Sequence, residues 1–162
     1  MLLPLVQASL EAHDITYKVF ACDTALADTA AFCEQYGFGQ NQSANTIVVA
    51  SKTEPAKYAC CVVLATTKLD VNKKVCQLLG VKKASFAPME QALELSKMEY
   101  GGVTVFGLPD DLPVYVDSRV MACDEVVMGG GNRSSKVLLH PQELTKLPMV
   151  HIVEGLAKVK AA

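Results

Sequence analysis

The 162-residue sequence has no excess of positive charge, which excludes proteins that coat nucleic acids by bulk charge. Its 15 Lys and Arg residues are opposed by 17 Asp and Glu residues, for a formal net charge of -2. A nucleic-acid partner must therefore be held by a local cluster of positive side chains. No apolar run is long enough to cross a bilayer, and the apolar start lacks the basic residues of a signal peptide. We expect a cytoplasmic protein without a membrane partner.

The six cysteines lack the spacing of a metal site. There is no C-x-x-C pair, and no histidine stands at a ligand-like distance from any cysteine. We therefore expect no zinc and no other metal. Cys60 and Cys61 lie inside the apolar run YACCVVLA, where a thiol behaves as a small buried hydrophobic group. Reduced thiols are the simplest interpretation of the cysteine content.

The common nucleophile and nucleotide motifs are also missing. No G-x-S-x-G occurs, and His13, His140 and His151 stand where no general-base role can be recognised. The three glycines of EVVMGGGNRSSKVLL, residues 125–139, precede a strand-like segment that stops at Pro141. Walker and dinucleotide loops both open a helix, so neither applies here. Two interpretations stay open: a cradle of glycine amides beside Arg133, or a flexible turn between two strands.

Helical and strand patterns mix along the chain without a regular βαβ alternation. Four helices are predicted, at residues 5–13 (through Leu5, Ala8 and Ala12, with Leu10 beside them), 25–37, 69–80 and 88–98, with a short helix after Pro141. Strands are predicted at 15–20, 45–50, 58–65, 84–87, 114–117, 125–129, 136–140 and 151–156, and a frayed tail at 157–162. The short turn after residue 50 indicates a β-hairpin. We predict one α/β-type domain over 1–162, with a curved, mixed, mainly antiparallel sheet flanked by helices.

A second glycine-rich segment, EYGGVTVFGLPDDLP, occupies residues 99–113. Its apolar side chains predict an ordered loop packed on the core rather than a solvated one. Gly101 and Gly102 allow a backbone to approach a ligand closely, and Tyr100 and Phe106 can line a site or belong to the core. Asp117, which ends the strand VYVD, can orient a donor or satisfy local backbone groups.

Four segments in this order and spacing resemble the YbaK-like family: ANTIVVAS, LDVNKKVCQLLGVKKASFA, MEYGGVTVFGLPDDLPVYVD and VVMGGGNRSSKVLLHPQEL. That family includes the editing domain inserted in bacterial prolyl-tRNA synthetases. The resemblance covers nearly the whole chain and is more specific than either glycine loop alone. It implies an aminoacyl-tRNA deacylase that needs no cofactor. Its implied partners are the acceptor end of mischarged tRNA and a synthetase, and the oligomeric state stays open.

The resemblance also implies roles for residues around both glycine loops. GGVTVFG matches a family loop that holds the aminoacyl end and the terminal adenosine, although Val105 replaces the usual proline. GGGNR matches a family turn in which serine is common at the position of Gly130. The implied catalytic residues are Asn45, Gly101 and Gly102. The implied substrate-binding residues are Phe20, Lys52, Met98, Tyr100, Thr104, Phe106, Gly107, Asp117, Gly129, Gly130, Gly131, Arg133, Ser134 and Lys136.

Asn45 is the main departure from the family pattern. Many members have a lysine here, and asparagine donates a hydrogen bond without bringing charge. This chain either belongs to a branch without the lysine, takes the charge from Lys52, Lys57 or Lys136, or has weak or no activity. We favour the first interpretation and a freestanding deacylase acting in trans, because the family mechanism uses a water or ribose hydroxyl positioned by backbone groups. The alternatives are a non-catalytic tRNA or aminoacyl-nucleotide binding module and a hydrolase of small esters or amides.

Overall fold

The computed structural model describes residues 2–21, 39–99 and 102–159. Its helices are α1 (Pro4–Ala12), α2 (Cys76–Leu79), α3 (Met89–Ser96) and α4 (Ser118–Met121), with 3-10 turns at Gln40–Gln42 and Pro141–Lys146. Its strands are β1 (Lys18–Ala21), β2 (Ala44–Ser51), β3 (Tyr58–Leu64), β4 (Thr67–Leu69), β5 (Ala84–Phe86), β6 (Val114–Asp117), β7 (Val126–Gly129), β8 (Ser135–Leu139), β9 (Val150–Val153) and β10 (Ala157–Val159). The helix predicted at 25–37 lies outside the described residues.

The strands form a mixed sheet arrangement, which confirms the predicted fold class. Five strands follow the order β5-β2-β3-β6-β9, three follow β1-β8-β7, and β4 pairs with β10. Strands β2 and β3 form the predicted antiparallel hairpin, whereas β6 runs parallel to both β3 and β9. None of the helices within the described ranges is long and apolar enough to span a membrane.

Alternate residues of the five-stranded sheet belong to two separate core clusters. Val48 and Val62 belong to the main cluster, which also contains side chains from α1, β7 and β8. Val49 and Val63 belong to the second cluster, which lies against α2, β4 and β10. Because neighbouring residues of a strand point to opposite faces, both faces of β2 and β3 are covered. The candidate site lies at the start of β2, where this strand approaches β7.

Helix α1 buries a different stripe from the one predicted. Val6 and Leu10 are fully buried, whereas Leu5 is 37% exposed and Ala8 and Ala12 are also exposed. Both stripes have helical spacing, so periodicity could not separate them. Burial of the larger Val and Leu side chains removes more apolar surface from water than burial of two alanines, and this decides the helix rotation.

The helix predicted at 69–80 has the expected start and end. The carboxylate of Asp70 accepts a hydrogen bond from the Lys73 amide at 3.2 Å. Gly80 ends the helix with φ 69°, in the left-handed conformation that glycine adopts without strain. The first part, Val71–Val75, is a π-helical turn that leads into α2. Only this local geometry differs from the prediction.

The predicted frayed tail is wrong for residues 157–159. These residues form β10, which pairs antiparallel with β4 through Lys158 and Lys68. Gly155, with φ 72°, turns the chain back so that β9 ends at Val153 instead of continuing to residue 156. Strands of three residues are too short to show a period of two in the sequence. For the same reason the sequence pattern does not predict β4.

Candidate functional site

Three of the sequence-predicted site residues form one row across the three-stranded sheet. Lys136 on β8 lies opposite Phe20 on β1 and opposite Gly129 on β7. Residues directly opposite each other share a face, so these positions lie on the face opposite to Met128 and Val137 of the main core. Lys136 is only 7% exposed, whereas Phe20 is half-buried. The row therefore combines an aromatic ring with a mostly enclosed ammonium group.

Strand β2 extends this row towards Asn45. A parallel bridge joins Ser43 to Val127, so the start of β2 runs alongside β7. This bridge lies two residues before Asn45 on β2 and two residues before Gly129 on β7. Asn45 is half-buried, at the position where the sequence departs from the family pattern. Asn45 therefore lies near the point in β2 where that strand meets β7.

The first glycine loop lies on the same face of the sheet as this row. A Cβ placed on Gly129 would meet the carbonyl oxygens of Gly102 at 2.7 Å and of Val103 at 3.0 Å. The Gly131 amide donates to the Gly102 oxygen at 2.8 Å, and the Glu99 amide donates to the Gly131 oxygen at 2.9 Å. The two glycine loops, far apart in sequence, are therefore joined by backbone hydrogen bonds.

Gly102 has no room for a side chain. A Cβ at this position would lie 2.6 Å from the backbone N and C of Asn132, closer than real Cβ contacts. The glycine is therefore required by the approach of one loop to the other. Gly101 and Tyr100, its predicted partners in the site, lie outside the described residues.

The amides of the second glycine turn are already engaged. Besides the Gly131 bond, the Arg133 amide donates to Glu99 Oε1 at 3.2 Å, and the Ser134 amide donates to Asn132 Oδ1 at 3.1 Å. Each N–H can make one strong hydrogen bond, so these three are not available to an anion in this conformation. The turn joins β7 to β8, as predicted. Its contribution to ligand binding would come mainly from side chains.

Sequence reasoning missed the organising role of Asn132. Its side-chain oxygen accepts from the Ser134 hydroxyl at 3.1 Å and from the Ser135 hydroxyl at 2.7 Å, in addition to the Ser134 amide. An asparagine side chain that binds the backbone two residues ahead is a common turn device. The N-R-S-S order within the turn was the available signal. This network fixes the start of β8, and with it Arg133 and Lys136.

The segment before and within α1 braces both glycine loops. Leu3 donates its amide to the Gly130 oxygen at 3.2 Å. Gly107 has φ 90°, and its missing side chain leaves space for Leu5, whose Cγ would lie 2.8 Å from a Cβ there. Gly131, with φ 91°, makes the same kind of space for Val6. Nothing in the sequence pattern predicts this contact, because it depends on tertiary packing.

Thr104 is a buried polar residue of the first loop. It is fully buried, and its hydroxyl has no hydrogen-bond partner among the described residues. Its amide donates to the Met98 sulfur at 3.3 Å. A buried hydroxyl without a partner lowers stability, so such a group is a candidate for contact with a ligand.

The remaining predicted site residues of this loop are mainly structural. Met98 is 5% exposed and Phe106 is fully buried, and both belong to the main core cluster. Gly107 provides the turn that contacts α1. These three residues support the loop from the core side. The interpretation of Phe106 as a core residue, which the sequence left open, agrees with its burial.

Lys52 and Asp117 lie farther from the glycine loops. Lys52 is seven residues along β2 from Asn45, which is roughly 24 Å at strand spacing. Asp117 is at the level of Val63, the partner of Asn45 on β3, and so about two strand spacings, roughly 10 Å, from Asn45. The structure therefore does not gather all the predicted site residues in one place.

The carboxylate of Asp117 is fully buried near a single positive group. Arg119 Nη1 lies 3.6 Å from Asp117 Oδ2, beyond hydrogen-bond length, and donates instead to the Ala157 oxygen at 2.6 Å. Within the described residues neither carboxylate oxygen has a hydrogen-bond partner. Burial raises the pKa of Asp117; the Arg119 charge offsets part of that rise, and the nearby Arg119 side chain and the main-chain N–H groups of Arg119 and Ser118, although outside hydrogen-bonding geometry, offset a further part. Asp117 thus faces Arg119 and β10 rather than the glycine loops.

The described part of the chain contains no group of three or more His, Cys, Asp or Glu side chains that could hold a metal ion. The four described cysteines, Cys60, Cys61, Cys76 and Cys123, are free thiols. Burial raises the pKa of Cys60 and Cys61 to about 12, so neither is a thiolate near neutral pH. These cysteines do not supply a nucleophile to the site.

The described site consists of two glycine loops joined by backbone hydrogen bonds and a mostly enclosed lysine on β8. The aminoacyl-tRNA editing domain family matches residues 23–147, which include both glycine loops and β2. The chain belongs to this family. The resemblance stated from the sequence is therefore confirmed.

The chain is also similar to one curated protein over half of its length and to solved structures in fold. The uncharacterized protein YwhH of Bacillus subtilis (strain 168) is 39% identical over 79 residues, which cover 49% of this chain and 49% of that protein. A hypothetical protein, APE2540, has a similar structure, with a TM-score of 0.84, 19% identity, and coverage of 95% of this chain and 99% of its own. A candidate trans-editing enzyme for prolyl tRNA synthetase has a TM-score of 0.83 and 23% identity, covering 99% and 100% of the two chains. At these identities the structural matches establish the fold.

Proposed function

We propose that this protein is an aminoacyl-tRNA deacylase that hydrolyses mischarged tRNA in trans. The observation that carries the proposal is the family match over residues 23–147, within which two distant glycine loops are joined beside Asn45. The structural similarity to a candidate trans-editing enzyme for prolyl tRNA synthetase supports action in trans. The cytoplasm, where charged tRNA is used, is the proposed location.

The chemistry needs a water molecule to attack the ester carbonyl and to give up the proton that the leaving oxygen takes; a tRNA ribose hydroxyl can orient this water, but its own attack would only move the ester along the ribose. The carbonyl carbon gains an oxygen, the bond to the tRNA ribose oxygen breaks, and the leaving oxygen takes up a proton. An oxyanion forms on the way, and donors that are fixed before the reaction stabilise it. The Asn45 amide, the Thr104 hydroxyl and the Lys136 ammonium are the side-chain donors that we assign to the substrate. Phe20 would provide an apolar surface for the amino acid or the terminal base.

The test is hydrolysis of a panel of tRNAs, each charged with a wrong amino acid, by the wild type and by Asn45→Ala and Thr104→Val variants. Removal of one such donor lowers kcat by roughly 10² to 10³. Asn72→Ala, at an exposed position on the π-helical turn, is the matched control and should keep wild-type turnover. If the wild type leaves every charged tRNA intact at concentrations that saturate binding, the proposed activity is wrong.

A second function is favoured by one observation, the asparagine at position 45. A non-catalytic module would bind tRNA or an aminoacyl-adenosine analogue at the same loops without hydrolysing it. Substitution Asn45→Lys would then restore turnover, because a fixed positive charge stabilises a developing oxyanion more strongly than a neutral amide does. Turnover by the wild type that exceeds that of Asn45→Lys would exclude this alternative.

A further inference from the structure

A second candidate binding surface lies at the opposite end of β2 from the glycine loops. The turn between β2 and β3 and the turn between α2 and β5 enclose a cavity of about 630 Å³. Four lysines line it, namely Lys52, Lys57, Lys82 and Lys83. We call this surface the lysine cleft. Among its described lining residues, Glu54 is the one acidic side chain, so the cleft is locally positive in a protein of formal net charge -2.

Hydrogen bonds hold the two turns of the lysine cleft in place. The Lys52 amide donates to the Lys83 oxygen at 2.9 Å, and this bond links one turn to the other. The Lys57 amide donates to Ser51 Oγ at 2.7 Å, while the Ser51 amide donates to the Lys57 oxygen at 2.8 Å. Gly80, in the left-handed conformation, leads the chain from α2 into the second turn. The lysines therefore extend from a fixed backbone frame.

The charges of the cleft are not neutralised by the protein. Within the described residues, none of the four lysines forms an ion pair with a carboxylate. Lys57 Nζ donates one hydrogen bond to the Leu79 oxygen at 3.2 Å, which leaves two further donors on that ammonium group. Lys52, Lys82 and Lys83 are exposed at the rim. These side chains can move to meet a charged partner without breaking an existing pair.

The donor set favours a chain of phosphates over a single small anion. Sites for one phosphate usually gather backbone amides or an arginine around it. Here the amides of Lys52 and Lys57 are already bonded, and no arginine lines the cleft. Separate ammonium groups on flexible stems are point charges, which suit successive phosphates of a backbone and carry no base specificity.

We propose that the lysine cleft binds the phosphate backbone of the tRNA acceptor stem while the glycine loops hold its charged end. The inference rests on the proposed function for the identity of the RNA. Lys52 is roughly 24 Å along β2 from Asn45 at strand spacing. Successive phosphates on one strand of a nucleic-acid duplex are roughly 3 Å apart along its axis, so this distance corresponds to about seven or eight nucleotide steps. The cleft is at the right distance to contact a stem whose end lies at the glycine loops.

The test compares two double variants that each remove two positive charges. Lys82→Gln/Lys83→Gln changes the cleft, and Lys68→Gln/Lys158→Gln changes an exposed pair on β4 and β10. Binding of uncharged tRNA is measured from 50 to 200 mM salt. The cleft variant should lower the slope of log K against log salt by about one per lysine. At 50 mM salt it should weaken binding roughly 10- to 100-fold, whereas the control variant keeps the wild-type slope.

RNA length provides a second measurement. With an RNA hairpin that has a full acceptor stem, the cleft variant should bind more weakly than the control variant. With a stem cut to three base pairs, the two variants should bind equally, since the shorter duplex does not reach the cleft. In deacylation, the cleft variant should raise KM and leave kcat unchanged.

The outcomes separate this inference from the proposed function. If mischarged tRNA is hydrolysed but the two double variants bind tRNA with equal affinity and salt slope, the cleft assignment is overturned and the deacylase stands. If tRNA binding depends on Lys82 and Lys83 but no substrate is hydrolysed, the assignment of the lysine cleft is supported and the proposed deacylase activity is wrong. Lysine-dependent binding of polyglutamate without lysine-dependent binding of tRNA would overturn the assignment and indicate an acidic protein partner.

Discussion

Substitution Gly102→Ala tests whether the two glycine loops depend on direct backbone contact. The added Cβ would lie 2.6 Å from the backbone N and C of Asn132, whereas ordinary contacts begin near 3.5 Å. One loop must therefore move by roughly 1 Å. The hydrogen bond from the Gly131 amide to the Gly102 oxygen, now 2.8 Å, would then lengthen beyond a useful distance. Overpacking costs about 1 to 3 kcal/mol and the lost hydrogen bond about 1 kcal/mol more.

We therefore expect Gly102→Ala to lower the free energy of unfolding by about 2 to 4 kcal/mol. Gly155→Ala is a useful comparison, since nothing lies within 4 Å of its Cβ and its φ is 72°. Only backbone strain acts there, at about 1 to 2 kcal/mol. Urea unfolding gives the global value for each variant.

Hydrogen exchange of single amides locates the effect. The amides of Gly131 and Arg133 bond across the two loops, to Gly102 and to Glu99. Both should exchange faster in Gly102→Ala and at the wild-type rate in Gly155→Ala. Wild-type stability of Gly102→Ala together with unchanged exchange at both amides would refute the idea that contact between the loops forms the site.

Three further predictions concern buried groups. Thr104→Val should raise the free energy of unfolding by up to about 1 kcal/mol, because its buried hydroxyl has no partner among the described residues. Thr67→Val should lower the free energy of unfolding by about 1 kcal/mol, because the Thr67 hydroxyl donates to a main-chain carbonyl at 2.7 Å. Urea unfolding measures both variants, and a change of the same sign in the two would contradict this pair of predictions. Burial raises the pKa of Asp117, so the folded state binds its proton more tightly and this residue lowers stability as pH rises above about 4. Asp117→Asn should remove this decrease in the free energy of unfolding between pH 4 and 7. An unchanged dependence of stability on pH would contradict the prediction. Because burial raises the pKa of Cys60 and Cys61 to about 12, alkylation at pH 8 should modify them only after unfolding; rapid labelling of the folded protein would disagree.

Local signals in the sequence were sufficient for the central elements. Two strand-like apolar runs joined by a short turn predicted the β2–β3 hairpin, and Asp70 with Gly80 marked the ends of the helix that includes α2. The strand-like residues after GGGNR excluded a helix-opening nucleotide loop, and the structure shows β8 there. These features depend on neighbours in sequence, which is why they could be read from it.

The arrangement of the site depends on contacts between distant segments, and pattern alone could not supply them. The bridge from Ser43 to Val127 joins the start of β2 to β7, although nothing local to either strand specifies it. The same is true of Leu3 against Gly130. The sequence motifs therefore located both glycine loops but not the way α1 supports them, and they included Lys52, which lies at the far end of β2.

The contact between the segment before α1 and the second glycine loop also affects the order of folding. The hydrogen bond from Leu3 to Gly130 closes a loop of nearly the whole chain, and such contacts form late because the entropy of closing the loop opposes them. The hairpin of β2 and β3 can form without this contact. We expect the glycine loops to become ordered last during folding and to open first in partial unfolding, so that the site is lost before the central sheet.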